Sequence, residues 1–99
     1  MIKYLKKDDE FESLTKKRCL VDFYADWCGP CQMLGTVLES YSKEKESLDI
    51  VKVNTDEFNE LALNMGIMSI PALFIMENGK VEKKTVGFMS LEELKDFIK

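Results

Sequence analysis

Apolar residues fall along this chain in two rhythms, and the switches between them outline its elements. Cys19-Leu20-Val21-Asp22-Phe23-Tyr24-Ala25 is apolar at every position but one, which predicts a central strand covered on both faces. Ile2 to Leu5 predicts a short first strand, and the β-branched run from Leu48 to Asn54 predicts another. Pro71 opens an apolar strand through Ala72-Leu73-Phe74-Ile75-Met76, a position where a missing N–H does little harm. Glu77-Asn78-Gly79-Lys80 then carries the Asn-Gly signal of a two-residue hairpin, with Val81 to Val86 pairing back antiparallel.

Between these runs the period lengthens to that of a helix. Asp8-Asp9-Glu10-Phe11-Glu12 reads as a helix start, with acids at the positive end of the dipole and Asp9 and Glu12 at capping-box spacing. Phe11 and Leu14 face the core, and Lys16-Lys17-Arg18 is the solvated helix end. From Cys31 to about Glu46, Leu34, Val37, Leu38 and Tyr41 form a stripe at helical spacing, with Lys43-Glu44-Lys45-Glu46 as its solvated end. Gly35-Thr36 sits less comfortably inside that helix, since Gly costs about 1 kcal/mol against Ala. Asp56 to Met65 predicts a short helix with Leu61, Ala62 and Met65 inward and Gly66 as its stop. Ser90-Leu91-Glu92-Glu93 is a capping box for a last helix that turns Leu91, Leu94, Phe97 and Ile98 inward.

Strands separated by helices, with one hairpin near the end, indicate an α/β fold: a central mixed β-sheet flanked by helices on both faces. Its crossovers should be right-handed. The 99 residues suffice for one domain, 1–99, with a single core and no staples. A net charge of −4 and the absence of a basic stripe give no support for a nucleic-acid partner. No apolar run is long enough to span a bilayer, and Met1 to Lys7 is too short and too charged for a secretory signal. No membrane partner and a cytoplasmic location are therefore expected, and with them a monomer. Histidine is absent, which excludes Cys-His sites, Ser-His triads and His-ligated metals.

Chemistry concentrates where the central strand runs into the next helix. Cys28 and Cys31 stand two residues apart there, and in a cytosolic protein such a pair is catalytic or metal-binding rather than structural. Cys28 falls at the helix N-terminus, where unpaired N–H groups and the dipole favour a thiolate. Gly29 permits the tight turn and Pro30 suits the first helical turn. Asp22 interrupts the apolar strand; a desolvated carboxyl there has a raised pKa and acts as a base near neutral pH. The competing reading of Asp22 is a side chain at a strand end with hydrogen-bond partners of its own. Lys52 alternates with Val51 and Val53, so it either points at the sheet face near Asp22 or lies exposed on a strand end. Cys19 reads as a small buried hydrophobe, and a zinc site built on the three cysteines would lack a fourth ligand. No metal is expected.

Trp27-Cys28-Gly29-Pro30-Cys31, together with Asp22, Ile70-Pro71 and Gly87, resembles the thioredoxin family. The resemblance spans essentially the whole chain and implies the thioredoxin fold and thiol–disulfide exchange through a redox-active Cys28–Cys31 disulfide, with no further cofactor. It implies Cys28 as the more exposed, attacking sulfur, Cys31 as the buried, resolving one, Asp22 as proton acceptor and Lys52 as its neighbour. It also implies an apolar substrate surface of Trp27, Gly29, Pro30, Ile70, Pro71, Gly87 and Phe88, with a cis bond before Pro71 where the base rate favours trans. Disulfide-containing client proteins and a reductase as electron donor are the implied partners. The chain departs from the family pattern at Thr36, where a kinking proline is usual, at Ala72, where Thr is usual, and at Phe88, which is larger than expected. Pro30 stands where oxidising and isomerising relatives usually have His, which favours a reductant. Two further readings are a binding module with idle cysteines and a metal-binding domain that bridges two chains through Cys28 and Cys31.

Overall fold

The sheet is built around β2 (Cys19–Tyr24), whose first five residues are buried, as the near-continuous apolar run requires. A computed structural model describes residues 1–99 and orders the strands β1-β3-β2-β4-β5. Here β1 is Ile2–Tyr4, β3 is Asp49–Asn54, β4 is Ala72–Glu77 and β5 is Lys80–Val86. The first three strands in that order run parallel, β4 runs antiparallel to β2, and β5 reverses again antiparallel to β4.

Period-two alternation sends each strand's residues to two separate cores. Cys19, Val21, Phe23, Val51, Val53, Ala72, Phe74 and Met76 pack on one face with Phe11 and Phe58. That face is covered by α1 (Phe11–Leu14) and α3 (Asn59–Asn64), which contribute Leu14 and Leu61. Leu20, Ile50, Leu73 and Ile75 pack on the other face with Leu34, Leu38 and Tyr41 of α2 (Gly29–Ser42) and Leu94 of α4 (Leu91–Ile98). Asp22 shares the α2 face by the same alternation, paired in register with Lys52 on one side and Leu73 on the other.

The hairpin forms at Asn78 and Gly79, both at positive φ (55° and 72°), the combination a type I′ turn needs. A bulge shifts the β4–β5 register between Ile75 and Met76. It lies on an exposed edge strand that also carries Lys80, Lys83 and Lys84, features that discourage pairing with another chain. Ser90 and Glu93 close the capping box of α4 reciprocally, at 3.2 and 2.9 Å.

Several boundaries differ from the sequence expectation, each for a local reason. Asp9 and Glu12 form no capping box; Asp8–Glu10 is a 3-10 turn, and the Glu10 carboxylate accepts the Lys7 N–H at 3.2 Å. The helix that follows ends at Leu14, so Lys16-Lys17-Arg18 lies in a turn, where Arg18 donates to Glu82 and to the Ile98 carbonyl at 3.1 and 3.0 Å. Helix α2 stops at Ser42 rather than Glu46, because the chain must turn so that the Leu48 N–H can donate to the Tyr41 hydroxyl at 2.8 Å. It runs unbroken through Gly35 and Thr36. Helix α3 begins at Asn59 rather than Asp56, since the Asn54 side chain caps the Asp56 and Glu57 N–H groups in a turn.

Leu94 is fully buried between α4 and the sheet. Leu94→Ala is expected to lower stability by about 2–5 kcal/mol through lost transfer energy and a residual cavity. Urea unfolding measures this directly, and a loss under about 1 kcal/mol would mean that α4 contributes little to this core.

Candidate active site

Parallel strands gather their C-terminal ends along one edge of a sheet, and the site grows there. β2 and β3 end side by side at Tyr24 and Asn54, where the Thr55 N–H donates to the Tyr24 carbonyl at 2.8 Å. β2 then turns through Asp26 and Trp27 into α2, with Cys28 as the N-cap and Pro30 in the first turn. Cys28 and Cys31 are at disulfide distance, their Cα atoms 5.2 Å apart. The Cys28 sulfur accepts the Cys31 N–H at 3.2 Å, so a backbone donor already points at the atom that bears negative charge in the thiolate. No charged side chain occupies this first turn.

The two sulfurs open on different surroundings. Cys28 lines a groove of about 610 Å³ with Trp27, Gly29, Pro30 and Ile70. Cys31 lines a separate cavity of about 410 Å³ with Tyr4, Tyr24, Gly35 and Lys52. The expected contrast in exposure is small: Cys28 is 5% exposed and Cys31 3%. Position relative to the helix separates them more than accessibility does.

Trp27 is 73% exposed yet fixed, because its indole N–H donates to the Asp56 carboxylate at 2.8 Å. The Ile70–Pro71 peptide is cis, and the Ile70 carbonyl oxygen lies 3.9 Å from the Cys28 sulfur. Gly87, at φ 99°, donates its N–H to the Pro71 carbonyl at 2.8 Å and thereby ties the β5–α4 loop to this corner. Trp27, Gly29, Pro30 and Ile70 thus meet around Cys28. Pro71, Gly87 and Phe88 do not line that groove; Phe88 is solvent-facing beyond Gly87. The groove extends instead toward α3, where Ala62, Leu63 and Met68 complete its wall, Met68 being almost fully exposed.

Beneath α2, Asp22 is completely buried, and neither carboxylate oxygen has a hydrogen-bond partner. Lys52, 12% exposed, places its ammonium 3.6 Å from Oδ2, an ion-pair separation just beyond hydrogen-bond range. Lys52 therefore faces Asp22, the first of the two alternatives its alternation left open. Burial pushes the Asp22 carboxyl up to about 6, and the Lys52 charge offsets part of that rise. The alternative of a hydrogen-bonded strand-end carboxylate does not hold. Cys19 sits on the opposite face of the sheet at the far end of β2, and burial, with the Asp49 carboxylate adding to it, pushes its thiol up to about 11. It is a packing residue.

Asp56, Tyr4, Leu63 and Met68 were not among the residues singled out from sequence. Asp56 had a legible signal: an Asx turn directly after a parallel strand puts its acid at the edge where the neighbouring strand delivers Trp27. The other three depend on register and on how α3 docks, and neither is written in local pattern.

A dithiol pair at a strand-to-helix junction, beside an apolar groove and above a buried carboxyl, defines a thiol–disulfide oxidoreductase. The family model for thioredoxin matches residues 2–99. A thioredoxin of Mycoplasmoides gallisepticum is 38% identical over 100 residues, covering 99% of this chain and 100% of that protein. One of Bacillus subtilis is 41% identical over 93 residues, covering 92% and 89%. Among solved structures, the Malassezia sympodialis thioredoxin superposes with a TM-score of 0.88 at 29% identity, covering 97% of this chain and 86% of that one. A mutant thioredoxin from Halobacterium salinarum gives 0.88 at 34% identity, covering 98% and 87%. The chain belongs to the thioredoxin family and is a protein-disulfide oxidoreductase.

The buried carboxyl has a thermodynamic signature. With its pKa raised from 3.8 to about 6, the folded protein binds more protons than the unfolded chain between those values, so Asp22 makes stability fall as pH rises through that window. The loss is complete above about pH 6 and amounts to roughly 3 kcal/mol. Asp22→Asn should therefore stabilise the oxidised protein by up to about 3 kcal/mol near pH 8 and by little near pH 4. Denaturant titrations at the two pH values check this, and an equal effect at both would show that Asp22 is not desolvated as described.

Proposed function

We propose that the chain is a reducing thioredoxin, a single-domain monomer of the cytoplasm that passes two electrons from a reductase to disulfide-containing client proteins, with no cofactor beyond its own cysteine pair. Disulfide substrates and a reductase partner belong to the family in general; direction, compartment and residue roles are the proposal. The observation that carries the direction is the uncharged first turn of α2, Gly29-Pro30-Cys31. Only backbone N–H groups stabilise the Cys28 thiolate there. With no cationic side chain beside it, the reduced form is less stabilised and the pair gives up its electrons more readily.

In the reaction, the Cys28 thiolate attacks one sulfur of the client disulfide. A Cys28–client bond forms, the client S–S bond breaks, and the client's second sulfur leaves as a thiolate. The Cys31 thiol then loses its proton to the Asp22 carboxylate and attacks the Cys28 sulfur. The Cys28–Cys31 bond forms, the mixed disulfide breaks, and the client leaves as a dithiol once its thiolates are protonated. The client disulfide is reduced by two electrons and the cysteine pair is oxidised by two. An acceptor with a pKa near 6 is ionised at neutral pH yet close enough in proton affinity to exchange with a thiol. Trp27, Gly29, Pro30 and Ile70 receive the client segment in the groove, and the backbone beside Pro71 pairs with it as an added strand. Gly87 and Phe88 border that pairing edge, and Lys52 tunes Asp22.

Two measurements test this. Equilibration against thiol buffers should give a Cys28–Cys31 potential well below the about −180 mV of disulfide isomerases, each 30 mV being about tenfold in equilibrium. A value at or above that would reverse the assigned direction. Cys31→Ser should accumulate mixed disulfides with clients through Cys28, whereas Cys28→Ser should abolish reduction. Trapped complexes that need Cys31 instead would exchange the two roles.

A further inference from the structure

The row of side chains that crosses the α2 face of the sheet reads Tyr4, Lys52, Asp22 and Leu73, set by the register of β1 on β3, β3 on β2 and β2 on β4. Lys52 is the only cation in that row. Its ammonium lies 5.5 Å from the centroid of the Tyr4 ring and 4.6 Å from that of Tyr24, both within cation–π range. The same ammonium is 3.6 Å from Asp22. It also meets no side chain from α2 at position 35, where a glycine leaves the niche open: a Cβ there would stand 3.5 Å from Nζ.

Other ionisable groups share that cavity. The carboxylates of Asp26, just beyond β2, and Glu39, on α2, line the same cavity, as does Cys31. Tyr24 contributes no charge near neutral pH, since burial, then Asp26 and Tyr4, raise its phenol above its ordinary value. A lysine side chain is long and flexible, and at 3.6 Å it lacks a directional hydrogen bond to hold it on Asp22. Two rings that attract the ammonium from either side supply what the carboxylate alone does not.

We propose that Tyr4 and Tyr24 form an aromatic clamp that holds the Lys52 ammonium against Asp22, which makes Tyr4 a positioning residue for the proton-transfer step. This rests on the reading of Asp22 as proton acceptor, but the clamp can be tested apart from it. Tyr4 lies on the outermost strand and is about half exposed. It lies outside the client groove, and within the cavity it shares with Cys31 its ring faces the Lys52 ammonium.

The test is the titration of the Asp22 carboxyl, followed by NMR in the oxidised protein, for the unaltered chain, Tyr4→Phe, Tyr4→Leu and Lys52→Met. A ring–ammonium contact at a partly exposed site biases the docked position by roughly two- to fivefold. Tyr4→Leu should accordingly raise the Asp22 midpoint by about 0.3–0.7 pH units. Tyr4→Phe keeps the ring and should leave the midpoint in place, and Lys52→Met should raise it further than Tyr4→Leu. An unmoved midpoint in Tyr4→Leu alongside a raised one in Lys52→Met would overturn the clamp. So would equal shifts in Tyr4→Phe and Tyr4→Leu, which would assign the effect to the hydroxyl. The pH profile of mixed-disulfide resolution is measured on the same variants. If the midpoint moves as expected and the profile does not, the clamp stands and the assignment of Asp22 as proton acceptor falls.

Discussion

An ionised carboxyl with no hydrogen-bond partner, on a central strand covered on both faces, is the constraint around which this molecule is arranged. Placing Asp22 on the α2 face of β2 puts it among Leu20, Leu73 and Leu34 rather than in water. Such a group is costly to bury, and its penalty is largest in the charged form. Two features make the position tenable. The surrounding cores on both sheet faces are extensive, and one lysine from the adjacent strand lies within ion-pair distance. The lysine offsets only part of the penalty, so the carboxyl stays poised near 6 rather than falling to the ordinary carboxylate range. A hydrogen-bonded aspartate would be more stable and a poorer proton acceptor.

That arrangement explains why the two cysteines face different ways. α2 begins at the sheet's C-terminal edge with Cys28 as its cap, and Cys31 follows one turn later on the side that packs over the sheet. The cap sulfur thus meets the apolar groove and the helix-terminal N–H groups, while the second sulfur meets the cavity that holds Lys52. The sulfur suited to meeting a client and the one suited to losing a proton inward are separated by a single helical turn, with little difference in solvent exposure.

Much of this was legible in the sequence because it rests on local signals. The unbroken run from Cys19 to Ala25 identified the central strand, Asn78-Gly79 identified the hairpin, and Ser90 with Glu93 fixed the start of the last helix. Asp22 stood out because it was the one charge in an apolar run. The boundaries that moved did so where a long-range partner overrode a local rule. Tyr41 drew Leu48 back and shortened α2, and Asn54 capped the turn that delays α3. Residues such as Tyr4, Leu63 and Met68 carried no local sign of their position, since each depends on which strands pair or how a short helix docks. Phe88 was named by resemblance; it is partly exposed after Gly87 and is not among the residues that line the groove.

One departure from the family pattern, Thr36, borders the same buried pair. Gly35 and Thr36 lie on the stretch of α2 that borders the Lys52 cavity. A Cβ at position 35 would meet the ammonium at 3.5 Å, in ordinary van der Waals contact, so α2 passes directly over the charge that sits between two rings and a carboxylate. Glycine inside the helix costs about 1 kcal/mol, and it falls where α2 comes nearest to the Lys52 ammonium. In this chain, then, the weak point of the helix and the charge that tunes the buried acid occupy the same place, so the sequence of α2 cannot be read for helix formation alone.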